Sequence, residues 1–154
     1  MTPHIIEFVK NCHLSGKTLD VGSYDVNGSV RHLFTDYIGV DMRPGPNVDK
    51  LANAHALPFD DETFDNVLCL EMLEHDSMFW VSIAEMKRVL KPGGTLLVTT
   101  RGIHFPHHDY PSDYYRFTRE ALKFLFDGME GTETCSTADH GVYARGVKPI
   151  RSRY

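Results

Sequence analysis

Apolar positions along this chain fall into short runs that break at glycine, proline or acidic residues. Ile5, Ile6, Phe8 and Val9 give one apolar side of a short helix ending near Gly16. Thr18 to Val21 is a brief apolar run, followed by a turn of Gly, Ser, Asp and Asn between Gly22 and Ser29; residues 30–34 then read as helix. A second run, Tyr37 to Val40, ends at Asp41. Arg43-Pro44-Gly45-Pro46-Asn47 excludes helix and strand, so any third strand, at residues 48–51, is reached by an extended loop. Residues 64–70 form a buried apolar strand. Trp80, Ile83, Ala84, Met86, Val89 and Leu90 recur at helical spacing across residues 77–90, stopped by Lys91-Pro92-Gly93-Gly94. Residues 95–100 are the clearest strand. Thr118 caps a helix reaching Phe126, and residues 132–137 and 142–147 form a terminal antiparallel hairpin around Asp139-His140-Gly141. About seven strands with helices on both sides predict an α/β, doubly wound sheet.

Composition narrows the class. At 154 residues the chain reads as one domain, 1–154, with enough length for one core. Hydrophobic residues make up 42% and charged residues 24%, ordinary for a globular protein. A net charge of −5 argues against a broad duplex nucleic-acid surface, although Arg145, Lys148, Arg151 and Arg153 leave room for a local anionic contact. Cys12, Cys69 and Cys135 share no close spacing, which fits reduced thiols and a cytoplasmic setting. No run approaches the ~18 apolar residues of a membrane span, and the N-terminus has no signal-peptide pattern.

The first turn carries the candidate chemistry. Strand, glycine turn and helix present backbone N–H groups to a ligand. Asp41, at the tip of the next strand and about 20 residues beyond that turn, is placed for a ribose diol. The ligand expected is a nucleoside. A nicotinamide enzyme is disfavoured, because the G-x-G-x-x-G pattern that seats a pyrophosphate is missing.

Four stretches in order carry a resemblance: Leu19-Asp20-Val21-Gly22-Ser23, Gly39-Val40-Asp41, Asn53-Ala54-His55-Ala56-Leu57-Pro58-Phe59 and Leu90-Lys91-Pro92-Gly93-Gly94-Thr95-Leu96-Leu97. With Phe64-Asp65 before a buried strand and Glu74-His75 after it, the set closely resembles the class I S-adenosylmethionine-dependent methyltransferases, in particular small methyltransferase-11-like members. The resemblance implies a Rossmann-like seven-stranded sheet of order 3-2-1-4-5-7-6, mostly parallel, with a C-terminal antiparallel hairpin. It implies S-adenosylmethionine as cofactor. Asp20, Gly22 and Ser23 would line its methionine part, Asp41 would take the ribose hydroxyls and Met42 the adenine. Asn53 and Ala54 would meet the adenine edge, with Glu71 and Met72 passing beneath. Two departures stand out: only Gly22 keeps its place in the glycine loop, so that Asn27 or Gly28 must supply positive φ, and Asn53 stands where Asp is common.

The segment 101–117 is the candidate acceptor loop. It holds His104, His107, His108, Asp109 and Tyr110 beside several aromatics. Three histidines and an acid invite a metal, but no rigid helical spacing such as HExxH is present and the family's chemistry needs none, so no metal is expected. We read His107 or His108, oriented by Asp109, as a base or positioning group, with Tyr110 lining the pocket. Glu74 reads as a solvated helix-start acid and His75 as a packing or capping residue. The expectation is a methyltransferase acting on an unidentified hydroxyl or amine acceptor: a glycan end, a protein or a metabolite. Its short flanks suggest an open site for a large acceptor or one closed by a second copy, a possible homodimer. The alternative is a catalytically silent cofactor-binding or scaffold subunit.

Overall fold

The computed structural model describes residues 3–108 and 112–150. Their strands are β1 (Thr18–Val21), β2 (Tyr37–Asp41), β3 (Lys50–Leu51), β4 (Phe64–Leu70), β5 (Leu90–Arg101), β6 (Glu130–Ser136) and β7 (Gly141–Val147). They form one sheet of order β3-β2-β1-β4-β5-β7-β6. The first five are parallel to one another, and β7 runs antiparallel to both β5 and β6. This is the order that the resemblance implies.

Alternation along the strands sends successive side chains to opposite faces. Val67, Cys69, Leu96, Val98, Val142 and Ala144 face one apolar cluster, whereas Leu68, Leu70, Leu97 and Tyr143 face the other. Helix α2 (Phe79–Val89) covers the first face with Ile83, Met86 and Val89, and α3 (Arg119–Leu125) adds Leu122. Helix α1 (Pro3–Asn11) covers the second with Ile5 and Val9. The Thr118 hydroxyl caps α3 by accepting from Ala121 N at 3.1 Å.

Three expectations need correction. Residues 30–34 do not form an α-helix; a single 3-10 turn, Arg31–Leu33, connects β1 to β2. Val30 is fully buried there, and Arg31 makes a two-pronged ion pair with Asp49 at 2.9 Å, so long-range contacts hold a turn too short to propagate as helix. The strand preceding the segment 101–117 begins at Leu90, not at Thr95, because Lys148 pairs with Gly93 and Gly94 along the proline-glycine stretch. Between β2 and β3 the chain forms no helix, but it turns instead of staying extended: Val48 N donates to Gly45 O at 3.2 Å and Asn47 takes φ +69°.

Candidate functional site

A cavity of about 670 Å³ opens at the carboxyl ends of the parallel strands, the edge where open α/β sheets take ligands. The bend after β1 forms one wall. Gly22 has φ +80°, and a Cβ on it would lie 2.5 Å from Met72 Cγ. Both constraints demand glycine. The Gly22 and Ser23 N–H groups donate to Val40 O at 2.9 and 3.0 Å, folding the bend onto β2. Of the two residues expected to supply positive φ farther along, Gly28 does so, at +109°.

Asp41 ends β2 and lines the cavity. One carboxylate oxygen accepts from Arg43 N at 2.9 Å and the other from Tyr24 N at 3.4 Å. A carboxylate has about four lone-pair positions, so each oxygen keeps capacity for a ligand hydroxyl. Gly22, Asn27, Asp41, Met42, Asn53, Ala54, Glu71 and Met72 all line this one cavity.

Asp20 and Ser23 do not line it. Asp20 is buried behind the bend, where it accepts from the Tyr37 hydroxyl, and Ser23 Oγ donates to Asn47 O at 3.0 Å. Burial pushes the Asp20 carboxyl up to about 7, against the opposing hydrogen bond from Tyr37. These two residues hold the bend from behind.

At the far end, His75, Arg101, Phe105, His108, Ser112 and Tyr114 line the cavity. Arg101 pairs with Glu71, lies 3.6 Å from Asp139 and covers the Phe105 ring at 4.1 Å. Glu71 carries φ +60° in the connection leaving β4. Burial raises both the Glu71 and Glu74 carboxyls, and the charge of Glu74 adds to the rise at Glu71. Arg116 holds the loop by pairing with both oxygens of Asp113 and donating to Phe105 O at 3.0 Å and Pro106 O at 2.8 Å. That pairing holds the Asp113 carboxyl far below the usual carboxylate range.

His108 reaches the cavity. Its ring meets His75 edge-on at 4.7 Å, and its Nδ1 lies 3.3 Å from Asp113 Oδ2. Burial, then the neighbouring His75, lowers its pKa. His107 is exposed and outside the lining. Asp109 and Tyr110 lie outside the described residues, and the carboxylate beside His108 among those described is Asp113.

Sequence reasoning misplaced two residues and missed others. Glu74 is fully buried, with Thr100 Oγ1 donating to its Oε2 at 2.7 Å. His75 faces the cavity instead of packing away from it. Both follow the end of a parallel strand, the same positional signal that picked out Asp41. Arg101 was accessible by that argument at the end of β5. The His55–Asp76 pair, at 2.7 Å on the cavity wall, had no local signal, because its members come from separate connections.

The family described as Methyltransferase domain matches residues 19–98. The ubiquinone/menaquinone biosynthesis C-methyltransferase UbiE of Marinomonas sp. (strain MWYL1) is 38% identical over 90 residues, 58% of this chain and 36% of that protein. The ubiquinone biosynthesis O-methyltransferase of Hahella chejuensis is 34% identical over 91 residues, 59% of this chain and 35% of that protein. The chain thus spans about a third of the length of these curated relatives. Among solved structures, a SAM-dependent methyltransferase of Thermotoga maritima, a possible histamine N-methyltransferase, superposes with TM-score 0.73 at 20% identity, over 93% of this chain and 87% of that one. The YcgJ protein of Bacillus subtilis gives 0.75 at 15%, over 97% and 100%. At these identities the likeness is one of fold.

Proposed function

This chain belongs to the methyltransferase-domain family, and on that premise we propose that it transfers a methyl group from S-adenosylmethionine to a hydroxyl or amine acceptor. The carrying observation is the convergence of Gly22, Asp41, Asn53 and Glu71, from separate strand ends, on one cavity. The residues fit the cofactor. Asp41 has free lone pairs for a diol, Gly22 brings backbone to the cavity wall without a side chain, and Met42 offers an apolar face beside both. Asp20 and Ser23, which the resemblance places against the cofactor, act here as positioning residues behind the bend.

When bound, S-adenosylmethionine supplies an electrophilic methyl group on a sulfonium. The chain's part is to align the acceptor and exclude water, because charge disappears as the methyl moves. The acceptor is assigned to the end lined by His75, Arg101, His108 and Tyr114. Met42 is 70% exposed and Tyr114 54% exposed, although both line the cavity. That exposure supports an open site, serving a bulky acceptor or closed by a second copy of the chain. No helix among the described residues is long and apolar enough to cross a membrane. With the free cysteines, this supports a cytoplasmic enzyme, and the single sheet supports one methyltransferase domain. Calorimetry with S-adenosylhomocysteine and with NAD tests the cofactor, with binding expected only for the first. Transfer of a labelled methyl group to members of an acceptor panel tests activity; cofactor binding without transfer to any class would favour a silent subunit.

A further inference from the structure

The carboxylate of Glu74 is fully buried behind the cavity lining, next to His75, and one of its two oxygens is unpartnered among the described residues. Its Oε2 is held by Thr100, but Oε1 has no hydrogen-bond partner among the described residues. An orphaned buried carboxylate oxygen is costly unless a donor or a cation meets it. Arg101 is engaged by Glu71 and Asp139, and Arg116 by Asp113. His75 Nε2 lies 3.9 Å from Oε1, beyond hydrogen-bond reach.

The tautomer of His75 makes the orphan sharper. Its Nδ1 contacts Ser112 O. A carbonyl only accepts, so Nδ1 carries the hydrogen, and in the neutral ring Nε2 presents a lone pair. Two acceptors, His75 Nε2 and Glu74 Oε1, then stand 3.9 Å apart. His108 supplies a third donor atom: one ring nitrogen of His75, one of His108 and a carboxylate oxygen of Glu74 lie within 4.8 Å of one another. Ser112 O holds the His75 ring, and the buried side chain of Asp113 brings Oδ2 within 3.3 Å of His108 Nδ1. Histidines that bind metals are commonly oriented by such carbonyl or carboxylate partners. Separate contacts fix the two halves against each other, since Tyr114 N donates to Glu74 O at 2.8 Å and Phe117 N to Arg101 O at 2.9 Å.

We propose that Glu74, His75 and His108 bind a divalent transition-metal ion at the acceptor end of the cavity, and that its open coordination positions take an acceptor hydroxyl. Two imidazoles and one carboxylate suit zinc, iron or manganese, and three protein ligands leave room for a ligand from the cavity side. The ion lowers the pKa of the bound hydroxyl. The hydroxyl proton leaves to solvent, the oxygen forms a bond to the methyl carbon, and the carbon–sulfur bond breaks with its electrons remaining on sulfur. The products are a methyl ether, S-adenosylhomocysteine and a proton. His108 is then a ligand and not the base. This last role rests on the methyltransferase reading; ion binding does not.

The test uses the full chain stripped with chelator and titrated with Co²⁺, whose visible absorption reports protein ligation, alongside calorimetry with Zn²⁺. One equivalent of Co²⁺ with ligand-field bands is expected. His108→Ala, in the loop, should weaken it by at least ~100-fold, beyond the ~10–100-fold cost of losing an outer partner. Glu74→Gln should do the same, whereas His104→Ala, outside the cluster, should bind as the parent does. Absence of the bands, or bands that survive His108→Ala, would overturn the proposal, the latter showing ligation by other histidines. S-adenosylhomocysteine titrations on the same samples judge the methyltransferase reading separately: loss of metal with cofactor binding intact fails the metal site alone, and loss of cofactor binding in the parent fails the function.

Discussion

Asp20 Oδ2 accepts a 2.5 Å hydrogen bond from the Tyr37 hydroxyl, between the two strands that lead to the cavity. The contact continues: Asn47 Nδ2 donates to the Tyr37 oxygen and to Ser23 O, both at 2.9 Å, and Ser23 Oγ returns to Asn47 O. One buried carboxylate thereby ties the Gly22–Ser23 bend to β2 and to the loop beyond it. The arrangement explains why Asp20 serves the cavity without lining it.

Stability should depend on the ionisation of Asp20. Its carboxyl is pushed up to about 7 in the folded chain, against about 3.9 unfolded. The folded state therefore binds more protons between those values, and stability falls as pH rises from about 4 to about 7, levelling above. Each unit of displacement is worth about 1.4 kcal/mol. Asp20→Asn removes this contribution, so the difference in denaturation free energy between variant and parent should grow in the variant's favour from pH 4 to 7.5. A difference that stays flat with pH would show that Asp20 is ionised throughout, held by a partner not among those described.

Asp41→Ala should weaken S-adenosylhomocysteine binding by roughly 1–3 kcal/mol, the scale for hydrogen bonds to a charged group. Its effect on melting temperature without cofactor should be small, because the groups it meets, Tyr24 N, Arg43 N and the Arg43 guanidinium at 3.7 Å, are only partly buried. Unchanged affinity by calorimetry would take Asp41 out of the cofactor site.

The two neighbouring histidines should separate. His107 is exposed and outside the lining, so His107→Ala should leave turnover within about twofold. His108→Ala should lower it ~10²-fold or more, the scale for losing a group that activates the acceptor, whether directly or through a bound ion, while leaving cofactor affinity near the parent value. Equal losses from both substitutions would point to collapse of the loop.

The sheet was legible because its central strands are short apolar runs ended by breakers, and burial on both faces leaves little else for residues 64–70 or 95–100 to do. The end of the cavity proposed for the cofactor was legible for a related reason: Gly22 and Asp41 sit at strand tips, where position in sequence fixes position in space. The acceptor end was not. Glu74 and His75 look like polar residues leaving a strand, and only the return of the loop at Ser112 to Tyr114 encloses them. That closure depends on Arg116 holding Asp113 and two carbonyls, contacts that no local pattern announces. The 3-10 turn at Arg31–Leu33 was misread for the opposite reason, because local helical preference there yields to the Arg31–Asp49 pair.

Gly22 offers the sharpest test of the cofactor wall. An added Cβ would stand 2.5 Å from Met72 Cγ and 2.8 Å from Met72 Cβ, and the +80° φ disfavours any L side chain. Two costs are therefore superposed in Gly22→Ala: a backbone cost of about 1–2 kcal/mol for the left-handed region, and displacement of Met72, itself part of the cavity wall. Gly22→Ala should lower the melting temperature and weaken S-adenosylhomocysteine binding together. Adding Met72→Ala removes the Cγ contact but neither the Cβ contact nor the backbone cost, so the double variant should regain only part of the lost affinity. Full recovery would mean that crowding alone requires glycine, whereas no recovery would place the whole requirement in the backbone of the bend that Asp20 and Tyr37 hold from behind.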